Sequence, residues 1–398
     1  MISPASRPTI RLLPKTDPRP IRRGAPWVYA NQLVMDRRAK ALAPGTLAVL
    51  EDHDRRPLGL AAINPASKIA ARLIDRDPEA VVDETWFTAR LTHALSLRER
   101  LFDAPFYRLI HAEADGLPGV VIDRFGDAAV IQPNAAWADL RFGTLADALQ
   151  AVTGVTTIVK NASGRARSLE GLNDENAVTS GTLSGPIPVP MNGATYMADL
   201  AGGQKTGLFY DQRPNHAFAA RLGAGGTMLD VFSHVGGFAL AALAAGATNA
   251  LAVDGSDPAL ALARLGAEAS GVADRFETRS GDAFAVLEAL GAEGRRFDMV
   301  VCDPPAFAPS KNALDAGLRA YERVARLASA LVAPGGFLVL CSCSHAADLA
   351  KFRTASLRGI GRARRSAQLL RTGFAGPDHP QHAHLAESAY LKALFFRL

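Results

Sequence analysis

The segment Leu229-Asp-Val-Phe-Ser-His-Val-Gly-Gly-Phe238 decides the fold class of this 398-residue chain. It closes an apolar run of strand length, passes through two glycines and leads into an Ala- and Leu-rich stretch of helical composition. In open α/β sheets a ligand binds beyond the carboxyl end of such a strand, where glycines let the backbone approach it. The segment therefore predicts the first strand and the first helix of a ligand-binding α/β sheet.

The alternation of strand and helix continues after this segment. Apolar runs of strand length cover residues 227–232, 250–253, 275–279, 298–302 and 336–341. Helical stretches separate them, which indicates a parallel sheet covered by helices, because parallel strands need crossover connections. The run Ala389-Tyr-Leu-Lys-Ala-Leu-Phe-Phe396 predicts one more strand that closes the edge of the sheet. We therefore predict a Rossmann-like α/β domain over residues 191–398.

The beginning of the sequence has a different pattern. Short β-type runs lie at residues 27–29, 46–50 and 58–63, with turn residues between them. Several short strands separated by turn signals are typical of a compact sheet. Residues 1–76 are therefore predicted to form a small β-rich domain.

The stretch between these two regions mixes helix and strand signals. Residues 84–101 have apolar side chains at helical spacing, and residues 119–132 read as two strands joined by a turn at Arg124-Phe-Gly-Asp127. Residues 181–190, which contain glycines and prolines, are typical of a connector. We predict a small α+β middle domain over residues 77–190.

Composition excludes several classes of protein. Hydrophobic residues make up 48% of the chain and charged residues 21%, as in ordinary globular proteins. Three cysteines exclude a disulfide framework and favour a cytoplasmic location. The longest mildly apolar stretch, residues 236–253, is interrupted by Gly246 and Asn249, so no membrane partner is predicted.

Positive charge is concentrated near the beginning of the sequence. The formal net charge is +5, and the first forty residues hold only two acidic side chains, Asp17 and Asp36. The basic residues in that stretch are Arg7, Arg11, Lys15, Arg19, Arg22, Arg23, Arg37, Arg38 and Lys40. Such a surface is typical of a polyanion-binding protein, although a solvated basic face without a ligand stays open as the alternative.

Aspartates follow four successive predicted strands. Asp230 lies in the first, Asp254 ends the second 18 residues after Gly236, and Asp282 and Asp303 follow the third and fourth. A single aspartate at a strand end often only caps a helix, but four in order indicate a nucleoside cofactor. The chain has neither a G-x-G-x-x-G fingerprint nor a Walker A sequence, the two phosphate cradles. S-adenosylmethionine therefore fits this pattern better than NAD or ATP.

These residues carry a resemblance to a known family. Residues 230–238, Asp254, Asp282 and Asp303-Pro-Pro305 resemble the ordered motifs of class I S-adenosylmethionine-dependent methyltransferases. The segment Gly203-Gln-Lys-Thr-Gly-Leu-Phe-Tyr-Asp-Gln-Arg213 resembles a signature of bacterial large-subunit rRNA methyltransferases. One departure is His234-Val235, which stand where an aromatic residue and a threonine are usual.

Other segments resemble the 23S rRNA cytosine-C5 methyltransferase subfamily, whose members carry a PUA RNA-binding domain. Two segments are similar to that domain: Arg22-Arg-Gly-Ala-Pro-Trp-Val-Tyr29 and Asn64-Pro-Ala-Ser-Lys-Ile69. Residues 114–127 are similar to the middle domain of the subfamily, and residues 377–380 and 387–392 to its C-terminal part. The resemblance implies an RNA partner, 23S rRNA, and formation of 5-methylcytidine.

Cytosine C5 is a poor nucleophile, so its methylation requires a thiolate that adds to C6. Cys341-Ser-Cys343-Ser344 supplies the candidates, and Cys343 matches the Ser-Cys-Ser nucleophile of the resembled subfamily. Cys341 and Cys302 are predicted to be buried packing residues. Asp303 is the second catalytic candidate, since a carboxylate accepts from the cytosine N4 amino group or, when protonated, donates to N3.

Further roles are predicted for the cofactor pocket, and no metal site is predicted. Asp254 is assigned to the ribose and Asp282 to the adenine amino group. The methionine portion is assigned to Phe232, Ser233, Gly236 and Gly237, with Gln212 and Arg213 near its carboxylate and Asp303 at the edge of the pocket.

Several alternatives stay open at this point. The group that removes the C5 proton is unassigned among His345, His379, Asp303 and a water molecule, and Phe307 either stacks on the target base or fills the core. A guanine N-methyltransferase and a non-catalytic RNA-binding assembly factor are the competing functions. A homodimer is also open.

Overall fold

The computed structural model describes residues 7–202 and 207–398, which form two compact units. The first unit comprises Met1–Ser184, Leu200–Thr206 and Asp378–Ala386, and the second comprises Gly185–Asp199, Gly207–Pro377 and Glu387–Leu398. Residues 203–206, the first four of the signature that ends at Arg213, lie outside the described residues. The domain boundaries at 76/77 and 190/191 stay predictions.

The first unit begins with a five-stranded sheet in the order β1-β3-β4-β5-β2. Its elements are β1 (Thr9–Arg11), α1 (Arg19–Arg22), β2 (Trp27–Val28), α2 (Arg37–Lys40), β3 (Thr46–Glu51), β4 (Pro57–Ile63) and β5 (Ala71–Asp75). Strand β1 is parallel to β3, and the other pairs are antiparallel. The β-rich beginning of the chain is confirmed, with the predicted runs forming β2, β3 and β4.

A second five-stranded sheet, in the order β10-β9-β8-β7-β6, completes the first unit. Its elements are α3 (Glu84–Leu101), β6 (Phe106–His111), β7 (Val120–Phe125), β8 (Ala128–Pro133), α4 (Ala136–Asp139), α5 (Phe142–Thr153), β9 (Thr157–Lys160), α6 (Arg165–Glu170) and β10 (Ala177–Ser180). Asp83 begins α3 by accepting a hydrogen bond from the Trp86 N–H. The predicted helix and the β7–β8 hairpin are confirmed.

Glu170 joins the two sheets of the first unit. Its carboxylate accepts hydrogen bonds from Asn64 Nδ2 at 2.9 Å and from Ser67 Oγ at 3.0 Å. Arg72 Nη2 lies 3.2 Å from the same carboxylate. A buried carboxylate needs partners of this kind. The Asn64–Ser67 turn, which the resemblance links to RNA binding, therefore also has a structural role within this unit.

The second unit opens with a hairpin and continues as an α/β domain. The elements are β11 (Ile187–Met191), β12 (Ala194–Ala198), α7 (Arg213–Gly223), β13 (Thr227–Val231), α8 (Gly237–Ala244), β14 (Asn249–Asp254), α9 (Asp257–Ala269), β15 (Phe276–Ser280), α10 (Ala283–Ala292), β16 (Phe297–Cys302), α11 (Leu314–Leu331), β17 (Val332–Ser342), α12 (Leu349–Arg362), β18 (Gln368–Gly373) and β19 (Lys392–Arg397). The five predicted strands before residue 342 are β13 to β17.

Part of the predicted connector at residues 181–190 is a strand. In β11, Val189 and Met191 are buried while Pro188 and Pro190 are exposed. The two-residue period is that of a strand with one covered face. Proline is tolerated there because, among the described strands, β11 pairs with β12 alone and is an edge strand. The connector prediction was wrong for this segment.

The large sheet has the strand order β15-β14-β13-β16-β17-β19-β18. Strands β13 to β17 are parallel, and β19 is antiparallel to both of its neighbours. The prediction that the last strand closes the edge was wrong, because β19 lies inside the sheet and β18 forms the edge. Burial explains the order: five of the six residues of β19 are buried, whereas Gln368, Leu369 and Leu370 of β18 are exposed.

No helix within residues 7–202 and 207–398 is long and apolar enough to cross a membrane. The parallel strands β13 to β17 all end at one edge of the sheet, and we call this edge the strand-end edge. Each of the four aspartates identified from the sequence lies at or next to it.

Candidate active site

The turn that leaves β13 has an unusual backbone. Phe232 and His234 have positive φ angles of 62° and 49°, and Gly236 has 81°. Residues other than glycine rarely occupy this region, at a cost on the order of 1–3 kcal/mol each. Two hydrogen bonds hold the turn: Ser233 N–H donates to Val253 O at 3.0 Å, and Gly236 N–H donates to Ser233 O at 2.8 Å. Strain of this kind concentrates at functional sites.

The two glycines of this turn have different functions. Gly236 begins α8 in the left-handed conformation that favours glycine. Gly237 is needed for packing, because a Cβ there would lie 2.8 Å from Cε1 of His216 on α7. The sequence assigned both glycines to the cofactor pocket, and the structure shows that Gly237 also allows two helices to approach closely.

Two buried oxygens at this turn have no hydrogen-bond partner among residues 7–202 and 207–398. They are Oδ1 of Asp230 and Oγ of Ser233. The other oxygen of Asp230 accepts from the N–H groups of Phe238 at 3.2 Å and Ala239 at 2.9 Å. Burial raises the pKa of Asp230 to about 7. Unpaired buried oxygens require an explanation, and a bound polar ligand supplies one.

Backbone N–H groups orient the carboxylate of Asp254. It accepts from His234 N at 2.8 Å with one oxygen and from Ser256 N at 2.8 Å with the other. A carboxylate has about four acceptor positions, so two remain for a ligand. Asp254 is half-buried at the end of β14. This arrangement suits acceptance of two hydroxyl hydrogen bonds.

Asp282 is exposed and caps α10 by accepting from Ala285 N at 3.0 Å. The bond to Ala285 uses only one carboxylate oxygen, so the cap leaves the other oxygen for the predicted ligand role.

A chain of amide groups positions Asp303, which follows β16 directly. Gln212 Nε2 donates to Asp303 Oδ2 at 2.9 Å, and Asn215 Nδ2 donates to Gln212 Oε1 at 2.7 Å. Asn215 Nδ2 is also 3.1 Å from the carbonyl oxygen of Phe374. Gln212 is buried, so its orientation is fixed by these partners. The structure therefore joins two predicted site residues, Gln212 and Asp303, by a direct contact.

Arg213 begins α7 directly after Gln212. Its carbonyl oxygen accepts from Asn192 Nδ2 at 2.9 Å, and its guanidinium carbon lies 5.3 Å from the centre of the Tyr210 ring. The backbone of this predicted cofactor residue is thus held by the β11–β12 hairpin.

The three cysteines differ in exposure. Cys302 and Cys341 are 0% and 1% exposed, and burial raises the pKa of both thiols. Their predicted role as buried packing residues is confirmed. Cys343 follows β17 and is partly exposed. Reactive cysteines are partly exposed whereas buried ones are inert, so Cys343 is the candidate nucleophile of the three.

The serines on either side of Cys343 are buried and hydrogen-bonded. Ser342 Oγ donates to the Tyr321 hydroxyl at 2.9 Å, and that hydroxyl lies 2.7 Å from Ser344 Oγ. Ser344 Oγ also accepts from Ala308 N, which lies in the loop after Asp303, at 3.0 Å. Tyr321 was not predicted from the sequence, where its signal is a polar tip at an apolar position of α11. The network fixes the Cys343 backbone relative to that loop.

Lys392, on β19, contacts the loop after β17 that carries Cys343. Its Nζ donates to the carbonyl oxygens of Ser344 at 2.7 Å and Ala347 at 2.9 Å. Lys392 is 5% exposed, and buried lysines are rare. No role was predicted for Lys392, although a lysine within an apolar strand is a signal that the sequence contains.

The remaining candidates lie in different surroundings. Phe307 packs against the core, with ring centres 5.0 Å from Tyr321 and 6.1 Å from Phe284. His345 is exposed and lies 5.8 Å, ring to ring, from Tyr390. His379 belongs to the first unit, where its Nδ1 is 3.0 Å from an oxygen of Asp378.

Comparison with protein-family models decides the class of this site. Residues 134–397 match the model described as S-adenosylmethionine-dependent methyltransferase. The chain belongs to this methyltransferase family. Residues 10–76 match the model of a PUA-like domain.

Relatives of this methyltransferase are similar over nearly the whole chain. A protein from Cronobacter sakazakii named ribosomal RNA large subunit methyltransferase I is 34% identical, over 92% of this chain and 93% of its own length. A protein of the same name from Shewanella denitrificans is 34% identical over 98% of this chain and 99% of its own.

Solved methyltransferase structures share the fold. A S-adenosylmethionine-dependent methyltransferase from Streptococcus mutans is 18% identical, covers 98% of this chain and 100% of its own, and has a TM-score of 0.82. A second methyltransferase structure, in complex with S-adenosylhomocysteine (SAH), is 19% identical with the same coverage and TM-score. The predicted fold class, with a PUA-like beginning and a Rossmann-like methyltransferase domain, is confirmed.

The residues of this methyltransferase fit S-adenosylmethionine, the cofactor of the family. The unpaired oxygens of Asp230 and Ser233 suit a ligand with an ammonium group, such as the methionine portion. The half-buried Asp254 has acceptor positions for ribose hydroxyls.

Proposed function

We propose that this methyltransferase converts a cytidine of 23S ribosomal RNA to 5-methylcytidine, with Cys343 as the nucleophile. The observation that carries the proposal is the partly exposed Cys343 at the end of β17, beside the loop that holds Asp303. Relatives named ribosomal RNA large subunit methyltransferase I support the choice of substrate. Cytosine C5 is the ring position whose methylation needs a thiol.

Residue roles in the cofactor pocket are part of the proposal. Asp254 accepts from the ribose hydroxyls, and the second oxygen of Asp282 accepts from the adenine amino group. The methionine portion lies against the turn after β13, at Phe232, Ser233 and Gly236. Gly237 supports this turn through its packing, and Gln212 and Arg213 lie near the methionine carboxylate.

S-adenosylmethionine supplies the methyl group from its sulfonium. The Cys343 thiolate adds to C6, and the electron pair of the C5–C6 double bond moves to C5, which takes the methyl group. A base takes the C5 proton, and the C5–H electron pair restores the C5–C6 double bond as the C6–S bond breaks and the thiolate leaves. This base stays unassigned among His345, His379, Asp303 and a water molecule. Asp303 accepts from the N4 amino group or donates to N3, and Gln212 orients it. The base has to leave its helical stack, so the RNA target is single-stranded or flipped.

The PUA-like domain and its basic surface support an RNA partner. Four of the nine basic residues near the beginning bind other protein groups: Arg7, Arg11, Arg19 and Arg22. The other five are exposed and form no ion pair within the described part of the chain: Lys15, Arg23, Arg37, Arg38 and Lys40. Exposed cations of this kind hold RNA through its phosphates.

Location and assembly follow as lesser parts of the proposal. Ribosomal RNA as substrate and the three cysteines without a disulfide framework support a cytoplasmic location. The homodimer stays a prediction, which analytical ultracentrifugation tests.

The test uses tritium-labelled S-adenosylmethionine, unmodified 23S rRNA, the wild-type protein and the Cys343→Ala variant, with Cys341→Ala as the matched control. After digestion to nucleosides, we expect label in 5-methylcytidine that is lost by at least about 1,000-fold in Cys343→Ala and retained in Cys341→Ala. SAH affinity, measured by calorimetry, should be the same in all three proteins.

Two other results contradict the proposal. Label in a methylated guanosine, unaffected by Cys343→Ala, identifies a guanine N-methyltransferase, because guanine nitrogens need no covalent help. SAH binding without label in any nucleoside, with both free rRNA and assembled subunits offered, identifies a non-catalytic RNA-binding protein.

A further inference from the structure

We propose that Lys392 is a positioning residue that keeps Cys343 in its thiolate form by placing a buried ammonium group beside it. The inference rests on the proposed role of Cys343 as nucleophile and names the group that activates it. Thiolate, and not thiol, is the nucleophilic form of cysteine. An unperturbed cysteine has a pKa near about 8.5 and is mostly protonated at neutral pH.

The position of Lys392 is fixed by strand pairing and by hydrogen bonds. In the register of β17 and β19, Lys392 stands opposite Ser342, the residue before Cys343. Its Nζ lies 2.7 Å from Ser344 O, the carbonyl of the residue after Cys343, and 2.9 Å from Ala347 O. The ammonium is thus held at the Cys343 loop by two backbone carbonyl oxygens that follow Cys343 in the sequence. Cys343 lies between two residues that Lys392 contacts or pairs with.

Lys392 forms no ion pair with a carboxylate in the part of the chain that the structure describes. Its only hydrogen-bond acceptors there are two carbonyl oxygens, although an ammonium group has three protons to donate. Buried charges are normally paired. Burial lowers the pKa of Lys392, and the Cys343 thiolate is the first of the charges that oppose this shift, followed by Asp348. The Cys343 thiolate is therefore the main anion that offsets the burial of this cation.

Four other titratable groups lie on the elements around the Cys343 loop. On α11, the Tyr321 hydroxyl is neutral, and burial raises its pKa further. His345 follows in the same loop and is exposed. Asp303, from the loop after β16, accepts from Gln212 and opposes a thiolate when it is ionised. Asp348 pairs with Lys351. Among the described residues, Lys392 is the cation whose hydrogen bonds reach the Cys343 loop.

A cation near Cys343 affects both the formation and the breaking of the C6–S bond. A nearby cation raises the fraction of Cys343 that is thiolate and ready to add to C6. The same charge stabilises the thiolate when the C6–S bond breaks, so product release from the cysteine is favoured as well. No proton transfer through Lys392 is required.

The experiment measures the ionisation of Cys343 directly, without RNA. The rate of alkylation by iodoacetamide is followed against pH in wild type, Lys392→Met and Tyr321→Phe, with Cys343→Ser as the baseline. Cys302 and Cys341 are 0% and 1% exposed, so the signal above baseline reports Cys343. Tyr321→Phe is the matched control, since it loosens the same loop and removes no charge. Cooperative melting and SAH binding show that each variant is folded.

We expect the alkylation rate of the wild-type protein to have its pH midpoint clearly below about 8.5, the ordinary pKa of a thiol. Lys392→Met should raise it by roughly one pH unit or more, whereas Tyr321→Phe should leave it unchanged. A purely structural role of Lys392 changes the limiting rate in both variants without moving either midpoint, and this result overturns the inference. A wild-type midpoint at or above about 8.5 overturns it without any variant, even if Lys392→Met does not fold.

The outcome is independent of the RNA assay. If the pH midpoint of alkylation depends on Lys392 but the protein methylates guanosine, the role of Lys392 in forming the thiolate is supported and the cytosine proposal is refuted. A midpoint that does not depend on Lys392 in a protein that makes 5-methylcytidine refutes only the inference.

Discussion

At the ends of β13, β14 and β15 the polar groups are held by backbone N–H groups, whereas at the ends of β16 and β17 they are held by other side chains. Asp254 and Asp282, on the first side, bond to the backbone of nearby turns and helices. Asp303 and the Cys343 loop, on the second, depend on Gln212, Tyr321 and Lys392. We call these the cofactor side and the cysteine side.

This difference matches the tasks of the two sides. The contacts on the cofactor side join residues 2, 3 and 20 positions apart in the sequence, so they depend on neighbouring strand ends and turns. The cysteine side needs a thiol and a carboxylate placed accurately against a base, and side chains from distant elements supply that placement. Variants on the two sides should therefore separate cofactor affinity from turnover.

Among variants of the residues that surround the cofactor and Cys343, the largest effect is expected for Asp254→Ala on the cofactor side. The substitution removes the proposed acceptor for the ribose hydroxyls and also frees the N–H of His234 in the strained turn. Charged hydrogen bonds contribute about 1.5–3 kcal/mol each, so SAH affinity should fall by roughly 100-fold. Calorimetry measures it, and the alkylation rate of Cys343 should not change. Unchanged SAH affinity would remove Asp254 from the pocket.

A pH-dependent effect on stability is expected for Asp230. Its pKa is raised by burial to about 7, whereas an unfolded aspartate has about 3.9. The free energy of unfolding should therefore fall as pH rises from about 4 to 7 and then level off, because only the unfolded chain releases this proton in that range.

Asp230→Asn should lack this pH dependence. Between pH 5.5 and pH 8, the free energy of unfolding of the variant should rise by about 2 kcal/mol relative to that of the wild-type protein. This change is measured as a difference of a few degrees in Tm. Comparison of the two proteins at each pH cancels the cost of the substitution itself. Parallel Tm profiles would mean that Asp230 is ionised throughout.

A smaller effect, on the cysteine side, is expected for Tyr321→Phe. The loss of one hydroxyl leaves Ser342 and Ser344 without their common partner, which costs about 1–2 kcal/mol in loop placement. The turnover number should fall by about 10-fold with SAH affinity unchanged, the reverse of Asp254→Ala. Equal losses of affinity and turnover would show that the two sides are not separate.

The smallest effect is expected for Asp282→Ala, with Asp83→Ala as the control. Each residue caps a helix, α10 and α3 respectively, so each variant should lose about 1 kcal/mol of stability in chemical unfolding. Only Asp282→Ala should also weaken SAH binding, by several-fold. A loss of stability without a loss of affinity would leave Asp282 as a helix cap alone.

The cofactor side was largely predictable from the sequence. Glycines and aspartates at strand ends act through local backbone geometry, so their spacing along the chain carries the information. The positions of Asp230, Asp254 and Asp282 at the strand-end edge required only the strand-helix alternation and the rule for parallel sheets.

The cysteine side was predictable only in part. Cys343 and Asp303 were identified, but Tyr321, Lys392 and the link from Gln212 to Asp303 join residues that are far apart in sequence. The same limit explains the misplaced edge of the sheet. An apolar run predicts that β19 is a strand, but the choice between interior and edge depends on β18, whose exposed leucines gave no periodic signal.

The interior position of β19 also determines how the Cys343 loop can separate from Lys392. Lys392 lies on a strand with hydrogen-bonded neighbours on both sides, β17 and β18. Amide hydrogens in such strands exchange only through large unfolding events, whereas those of loops exchange through local fluctuations. The loop that carries Cys343 is therefore tied to one of the more slowly exchanging parts of the sheet. Its release from Lys392 should coincide with cooperative unfolding rather than with the local motions of a loop.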